Sequence, residues 1–242
     1  MYKRQGQAVA LAAKQRGVPA YIVMPNNAPK VKINGVISHG AEVILCEPNL
    51  DARISTANSV LERTGATFIH PFDNLSVIAG QGTAAKEMIE DCEGLDAVLS
   101  PIGGGGLMSG TCISTRALLP EARIFGAEPE GADDAARSLE TGEYVSQTDP
   151  DTICDGLLTS MGQKTWPIIK RHVEEIVTVN DDAVLGAMSL IHEEFGMVVE
   201  PSGAISLAAV LKDEFREKKG IGSIGIILCG GNVDPENLPF TL

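Results

Sequence analysis

The stretch PIGGGGL, residues 101–107, places four consecutive glycines between an apolar run and a helical pattern. Glycine tolerates positive φ and lets an anion approach the backbone, so successive N–H groups can converge on a phosphate at a helix N-terminus. A flexible linker rarely sits between a buried strand and the helix that crosses back over the sheet. The sequence therefore predicts a phosphate-binding loop in an α/β fold.

Strand and helix patterns alternate toward the N-terminus of this loop, and the rhythm indicates parallel βα units. Asp51 is predicted to be the N-cap of the helix at 51–64, the third from the N-terminus. The predicted helices are 7–16, 29–39, 51–64 and 76–91, and the predicted strands are YIVM (21–24), EVILC (42–46), TFIH (67–70) and LDAVLSP (95–101).

The same rhythm continues after the loop, interrupted by a long irregular excursion at residues 141–163. The predicted helices are 107–118, one around Trp166, 181–194 and 202–215, and the predicted strands are RIFGAEP (123–129), EIVTV (175–179) and IGIILCGGN (224–232). We expect two α/β domains with parallel sheets, divided near HPFDN: a smaller domain at 6–73 and a larger one at 74–242.

The composition restricts the class of partner. A formal net charge of −13 over 242 residues opposes binding to nucleic acid or to an anionic membrane, since both need clustered Lys and Arg. No apolar run reaches the roughly 18 residues that a membrane span requires. Five scattered cysteines without a CxxC pair predict neither a disulfide framework nor a zinc site, and they favour a reducing, cytoplasmic location.

A dinucleotide site is the rival interpretation of the glycine loop. Gly104-x-Gly106-x-x-Ser109 nearly matches the dinucleotide fingerprint, and Glu128 ends the next strand, where an acid that binds ribose would lie. Against this interpretation, serine replaces the third glycine. The Lys-Ser/Thr pair of a nucleoside triphosphate loop is missing as well.

Several further motifs occur in a fixed order around the loop. With GGGG at 103–106, the set comprises AEPEGADD (127–134), DGL (155–157), VVEPSG (198–203) and LCGGNVD (228–234). The combination resembles fold type II pyridoxal-phosphate (PLP) enzymes, of the serine/threonine dehydratase and serine racemase group. The resemblance runs from Gly6 to about Leu238. It implies the tryptophan synthase beta-like fold and displaces the dinucleotide interpretation.

The resemblance implies a cofactor site. The residues expected to hold the PLP phosphate are Gly103, Gly104, Gly105, Gly106 and the backbone of Leu107. Cys229 should face the pyridine nitrogen. A thiol cannot hold that nitrogen protonated as an aspartate would, and the weaker electron sink suits β-elimination over transamination.

The resemblance also implies a divalent-cation site with Glu128, the Ala132 carbonyl and Asp134 as ligands. Hard oxygen ligands of this kind suit Mg²⁺, Ca²⁺ or Mn²⁺. Arg53 matches an arginine near the substrate pocket of the racemase branch. Ser160, in the irregular excursion, is a further candidate for contact with the substrate carboxylate.

The match lacks the family's catalytic lysine. Relatives carry this lysine, which forms a Schiff base with the cofactor, in a Ser-Phe-Lys-like motif that precedes a Ser-Ser-Gly-Asn-His-Gly-Gln loop. Only Gly6-Gln7-Ala8 matches that loop, and neither Lys3 nor Lys14 matches the lysine motif. We therefore expect an N-terminally truncated family member without a catalytic residue of its own.

The implied function is that of a PLP-dependent serine/threonine dehydratase, an ammonia-lyase that yields pyruvate or 2-oxobutanoate, inactive as these 242 residues. Serine racemase and 3-hydroxyaspartate ammonia-lyase are alternatives within the family. A non-catalytic PLP- or metal-binding protein is the alternative from another class. The implied partners are a small hydroxy amino acid and, in the intact family member, a second copy of the chain in a homodimer.

Overall fold

A computed structural model describes residues 3–28 and 30–233. Pro29, the first residue of the helix predicted at 29–39, lies outside this part of the chain, as do Asp234 of the last motif and the residues beyond it. The chain divides into two compact units, of which the first ends at Pro71 and the second begins at Phe72.

The first unit is built on two parallel strands, β1 (Tyr21–Pro25) and β2 (Glu42–Cys46), with Tyr21 opposite Glu42. Its helices are α1 (Lys3–Arg16), α2 (Lys30–Ile37) and α3 (Leu50–Thr64). The helices bury an apolar cluster against the strands, made of Ala10, Ile22, Met24, Val36 and Ala41. The parallel βα arrangement predicted for this region is confirmed.

Two local predictions in the first unit are wrong. The TFIH run forms no strand, because Phe68 and Ile69 are 49% and 45% exposed and no described strand pairs with them. The N-cap of α3 is Asn49, whose side chain accepts a hydrogen bond from the Ala52 amide at 2.8 Å, and Asp51 lies in the first turn instead. A carboxylate there is favourable near the helix N-terminus without being the cap.

The second unit contains a four-stranded parallel sheet in the order β5-β4-β3-β6. Its strands are β3 (Ala97–Pro101), β4 (Arg123–Pro129), β5 (Glu175–Val179) and β6 (Ile224–Ile226). Its helices are α4 (Leu75–Asp91), α5 (Gly106–Leu118), α6 (Asp134–Thr141), α7 (Thr165–His172), α8 (Asp181–Phe195), α9 (Pro201–Leu211) and α10 (Asp213–Arg216).

Helices cover both faces of this sheet. Alternate strand residues such as Leu99 and Phe125 pack with α8 and α9 on one face. Ile124 and Ile176 pack with α5, α6 and α7 on the other. All five residues of β3 are buried, which explains why its sequence is apolar without the alternation typical of a half-exposed strand.

Three elements of the second unit differ from the predictions. The helix predicted at 202–215 is interrupted at Lys212, whose ψ of 137° is extended, and forms α9 and α10. The last strand is shorter than predicted, and α6 was not predicted. Within the described residues, no helix combines the length and apolar character needed to cross a membrane.

Candidate functional site

The glycine loop joins the C-terminal end of β3 to the start of α5. Gly105 is the N-cap of α5 and has φ of +82°, a left-handed conformation that glycine adopts without strain. The Ser109 amide donates to the Gly105 carbonyl at 2.8 Å and closes the first turn. The predicted strand, glycine loop and helix are thus present in the predicted order.

The loop carries buried backbone donors without acceptors. Residues 103–106 are buried, yet none of the described residues accepts a hydrogen bond from the N–H groups of 103–107. A buried backbone donor without a partner costs about 1–3 kcal/mol. Several such donors at one helix N-terminus form a site that an anion can occupy.

Neighbouring residues leave no room for side chains in the loop. A Cβ on Gly104 would overlap the ring of Phe72, and one on Gly106 would lie 2.9 Å from the Phe72 Cβ. A Cβ on Gly103 would lie 3.0 Å from the Leu157 Cα. Close packing therefore favours glycine at these three positions, whereas positive φ favours it at Gly105.

Cys229 lies at the same edge of the sheet as the glycine loop. It follows β6, which is the direct neighbour of β3, and the Ile227 amide extends the pairing by donating to the Leu99 carbonyl at 3.1 Å. The Cys229 thiol donates to the Ser202 carbonyl at 3.3 Å, at the start of α9. The carboxyl ends of parallel strands are where open α/β sheets bind ligands.

Ser202 and Glu200 fix the segment that carries Cys229. The Ser202 hydroxyl accepts from the Gly156 amide at 2.9 Å, and the buried Glu200 carboxylate accepts from the Asn232 amide at 3.0 Å. Both residues belong to the VVEPSG motif, which by itself indicates no role for either of them. Their role depends on contacts between segments 32 to 46 residues apart.

The candidate metal ligands lie where β4 meets α6. Glu128 is fully buried, and its carboxylate accepts from the Ala135 and Ala136 amides at 3.2 and 2.8 Å. Asp134 is also fully buried, and neither carboxylate oxygen has a hydrogen-bond partner among the described residues. Ala132 ends a 3₁₀ turn between them.

These two carboxyl groups have strongly perturbed pKa values. Burial raises the pKa of Asp134 from 3.8 to about 7, partly offset by the nearby backbone amides of Asp134 and Met161. Burial and the charge of Asp134 raise the pKa of Glu128 well above its usual range, against the effect of the two amides that donate to it. In the described chain no cluster of three or more His, Cys, Asp or Glu side chains is suited to a metal, so a site here needs the Ala132 carbonyl as well.

The two substrate candidates have local contacts. Arg53 lies on α3 in the first unit, and its Nε donates to the Asn49 carbonyl at 3.3 Å. Ser160 is half-buried, and its hydroxyl accepts from the Gln147 amide at 2.8 Å inside the irregular excursion. The bond of Ser160 stabilises the excursion itself.

The chain is similar in sequence and in fold to several known proteins. The family profile described as "Pyridoxal-phosphate dependent enzyme" matches residues 5–230. Serine racemase of Dictyostelium discoideum is 49% identical over 95% of this chain and 71% of its own length. Beta-hydroxyaspartate dehydratase of Paracoccus denitrificans is 44% identical over 96% of this chain and 73% of its own. The solved structure of a threonine deaminase from the organism abbreviated T.th. has a TM-score of 0.89 and 40% identity, over 97% of this chain and 76% of its own.

Proposed function

Because the chain belongs to the pyridoxal-phosphate-dependent enzyme family, we propose that it carries the PLP site of a family function on small hydroxy amino acids, serine racemase or hydroxyaspartate ammonia-lyase, and that these 242 residues alone are inactive. Its parallel α/β architecture is the tryptophan synthase beta-like fold that the sequence predicted. Racemase and hydroxyaspartate lyase, the two alternatives, are better supported than the serine/threonine dehydratase that we expected first.

One observation carries the cofactor assignment: the N–H groups of the buried Gly103–Gly106 and of the half-buried Leu107 have no acceptor in the described chain. A phosphate dianion accepts several such bonds at once, and the α5 N-terminus adds a favourable dipole. PLP, when bound, supplies the electron sink that acidifies the substrate Cα–H. We assign the phosphate to Gly103, Gly104, Gly105, Gly106 and Leu107.

We assign Cys229 to the ring nitrogen of the cofactor. In support, its segment follows β6 beside the glycine loop and is fixed by Glu200 and Ser202. A neutral thiol that turns its single proton from the Ser202 carbonyl to the ring nitrogen donates a weak hydrogen bond without protonating that nitrogen. The residues around the ring therefore favour loss or return of a proton at Cα over transamination.

We assign a divalent cation to Glu128, Asp134 and the Ala132 carbonyl. The supporting observation is that two fully buried carboxyl groups lie in one site, with both Asp134 oxygens unpartnered in the described chain. A hard cation such as Mg²⁺ or Ca²⁺ would be coordinated by these carboxylate oxygens and would neutralise their negative charge. Its role would be to stabilise α6 and the excursion that follows.

The cofactor assignment is tested by titrating the 242-residue protein with PLP and following its absorbance. Gly105→Ala places a Cβ 2.8 Å from both Ile169 and Thr165 atoms and should weaken PLP binding by about tenfold or more. Gly94→Ala is the matched control, because Gly94 also has positive φ but has open space around its Cβ. Equal PLP affinity of both variants would contradict the assignment.

The metal assignment is tested by the melting temperature with and without Mg²⁺ or Ca²⁺. Metal should raise the melting temperature of the wild type and leave Asp134→Asn unchanged. Asp133→Asn is the control, since Asp133 is half-exposed and pairs with Arg137. A metal response that survives in Asp134→Asn would place the cation elsewhere.

The family's lysine motif does not occur in these 242 residues, so we propose that they hold PLP without covalent attachment. Borohydride reduction of the PLP-loaded protein, followed by peptide mapping, should leave no labelled lysine, and serine should yield no pyruvate. Specific labelling of one residue would reveal a substitute lysine and an active enzyme. The unlabelled result also fits the alternative class of a non-catalytic PLP-binding protein.

We further propose a reducing, cytoplasmic location and a homodimer. The location is supported by the absence of disulfides among the five cysteines, all of which lie in the described part of the chain. Light scattering of the purified protein tests the dimer.

A further inference from the structure

Thr165 lies beneath the glycine loop and belongs to none of the sites assigned above. It is the first residue of α7 and is fully buried. Its hydroxyl accepts from the Gly162 amide at 2.7 Å and donates to the Gly104 carbonyl at 2.9 Å. The Gly162 carbonyl is farther, at 3.3 Å, so the single hydroxyl proton has its nearer acceptor in the glycine loop.

The bond to Gly104 controls the direction of a neighbouring donor. The Gly104 carbonyl and the Gly105 N–H belong to one planar trans peptide and point in opposite directions. Holding the carbonyl oxygen toward Thr165 therefore turns the Gly105 N–H away from it. Gly105 itself tolerates either orientation, because glycine has the widest backbone freedom.

The segment that carries Thr165 is itself anchored. The Asp73 carboxylate accepts from the Lys164 amide at 2.7 Å, and a Cβ on Gly162 would overlap the Asp73 side chain. The Ile169 side chain, one turn later on α7, also packs beneath Gly105. The hydroxyl is thus presented from a fixed position and not from a mobile loop.

We propose that Thr165 is a positioning residue for the cofactor phosphate: its hydroxyl fixes the Gly104–Gly105 peptide so that the Gly105 N–H points at the phosphate. The inference rests on the proposed PLP site. It adds a residue that touches neither cofactor nor substrate and acts through the loop.

The test compares PLP dissociation constants of three variants with that of the wild type. Thr165→Val keeps the shape of the side chain but removes its hydrogen bonds to Gly162 and Gly104. We expect it to raise the PLP dissociation constant about tenfold. Thr165→Ser keeps the hydroxyl and should stay within about twofold of the wild type. Thr111→Val is the matched control, because Thr111 on α5 is equally buried but its hydroxyl has no partner in the described chain.

Unchanged PLP affinity in Thr165→Val, or an equal loss in Thr165→Ser, would overturn the positioning role while leaving the cofactor site intact. Failure of the wild type to bind PLP would overturn the proposed function and this inference together. If Thr165→Val does not fold, an NMR measurement on the wild-type protein still tests the proposed direction of the Gly105 N–H. On addition of PLP, the Gly105 amide proton should move downfield in the NMR spectrum, and an unmoved resonance would overturn the proposal.

Discussion

At the residue scale, Asp134 is a described carboxyl group in an environment that is unfavourable without a ligand. Its carboxylate is fully buried and has no hydrogen-bond partner among the described residues, so its ionised form is destabilised. The same property suits a cation ligand, because a metal replaces the lost hydration. On the proposed metal site, we therefore expect stability, pH and metal binding to be linked at this side chain.

We predict that metal-free protein loses stability as pH rises from about 4 to about 7. The folded-state pKa of Asp134 is raised from 3.8 to about 7. Below pH 3.8 the carboxyl is protonated in both states, and between pH 3.8 and about 7 it ionises more readily in the unfolded chain, which lowers the free energy of unfolding. A shift of this size corresponds to about 4 kcal/mol. Denaturant unfolding with a chelator present, across this pH range, measures the loss.

Asp134→Asn supplies the comparison for that pH series. The variant should be more stable than the wild type at pH 8 by about 2–4 kcal/mol and equal to it near pH 4. Removing this charge also lowers the pKa of Glu128 toward its usual range, which acts in the same direction. A constant difference between the two proteins at every pH would contradict the account.

The cysteines should differ sharply in reactivity, and PLP should change only one of them. Cys92 is exposed, whereas burial raises the pKa of Cys112 and Cys154 to about 12. Cys229 is half-buried at the proposed ring site. Iodoacetamide labelling read by mass spectrometry should modify Cys92 with or without PLP and Cys229 only without it. Equal labelling of Cys229 in both conditions would argue against its place beside the ring.

At the element scale, the close approach of α4 and α5 positions the start of α5. A Cβ on Gly82 would lie 2.8 Å from the Ser114 hydroxyl and 2.9 Å from the Gly110 carbonyl. Gly110 is packed as closely from the other side, against Gly82 and Ile78 backbone atoms. Two facing glycines thus set how near the two helices come.

We predict that Gly82→Ala destabilises the protein by about 1–2 kcal/mol, because overpacking outweighs the gain in helix propensity. Gly80→Ala, two residues earlier on α4, meets no atom within 4 Å and should stabilise by up to about 1 kcal/mol. Thermal unfolding of both variants measures the difference. Stabilisation by both substitutions would mean that the helix contact is not tight.

Element predictions succeeded where the signal was local. RIFGAEP and EIVTV have the predicted bounds, since each is an apolar run between helices and pairs in a buried parallel sheet. TFIH also contains β-branched and aromatic residues, which favour strands, but no strand lies beside it in the described chain. Strand formation depends on a partner that the run itself does not encode.

At the scale of the whole molecule, the glycine loop was predictable because its residues are consecutive and their chemistry is backbone chemistry. The residues that position the loop were not. Thr165 meets Gly104 across 61 positions, and Ser202 meets Gly156 across 46. Each looks like an ordinary helix-start residue in the sequence, and only the parallel topology brings these segments together.

The central claim is that the loop at 103–107 and the α5 N-terminus bind the phosphate of PLP. Equilibrium dialysis of the wild-type protein against PLP and against pyridoxal, which lacks the phosphate, tests it most directly. We predict saturable PLP binding about tenfold or more tighter than that of pyridoxal, with inorganic phosphate as a competitor. Equal affinity for PLP and pyridoxal, or no saturable binding of PLP, would contradict the claim.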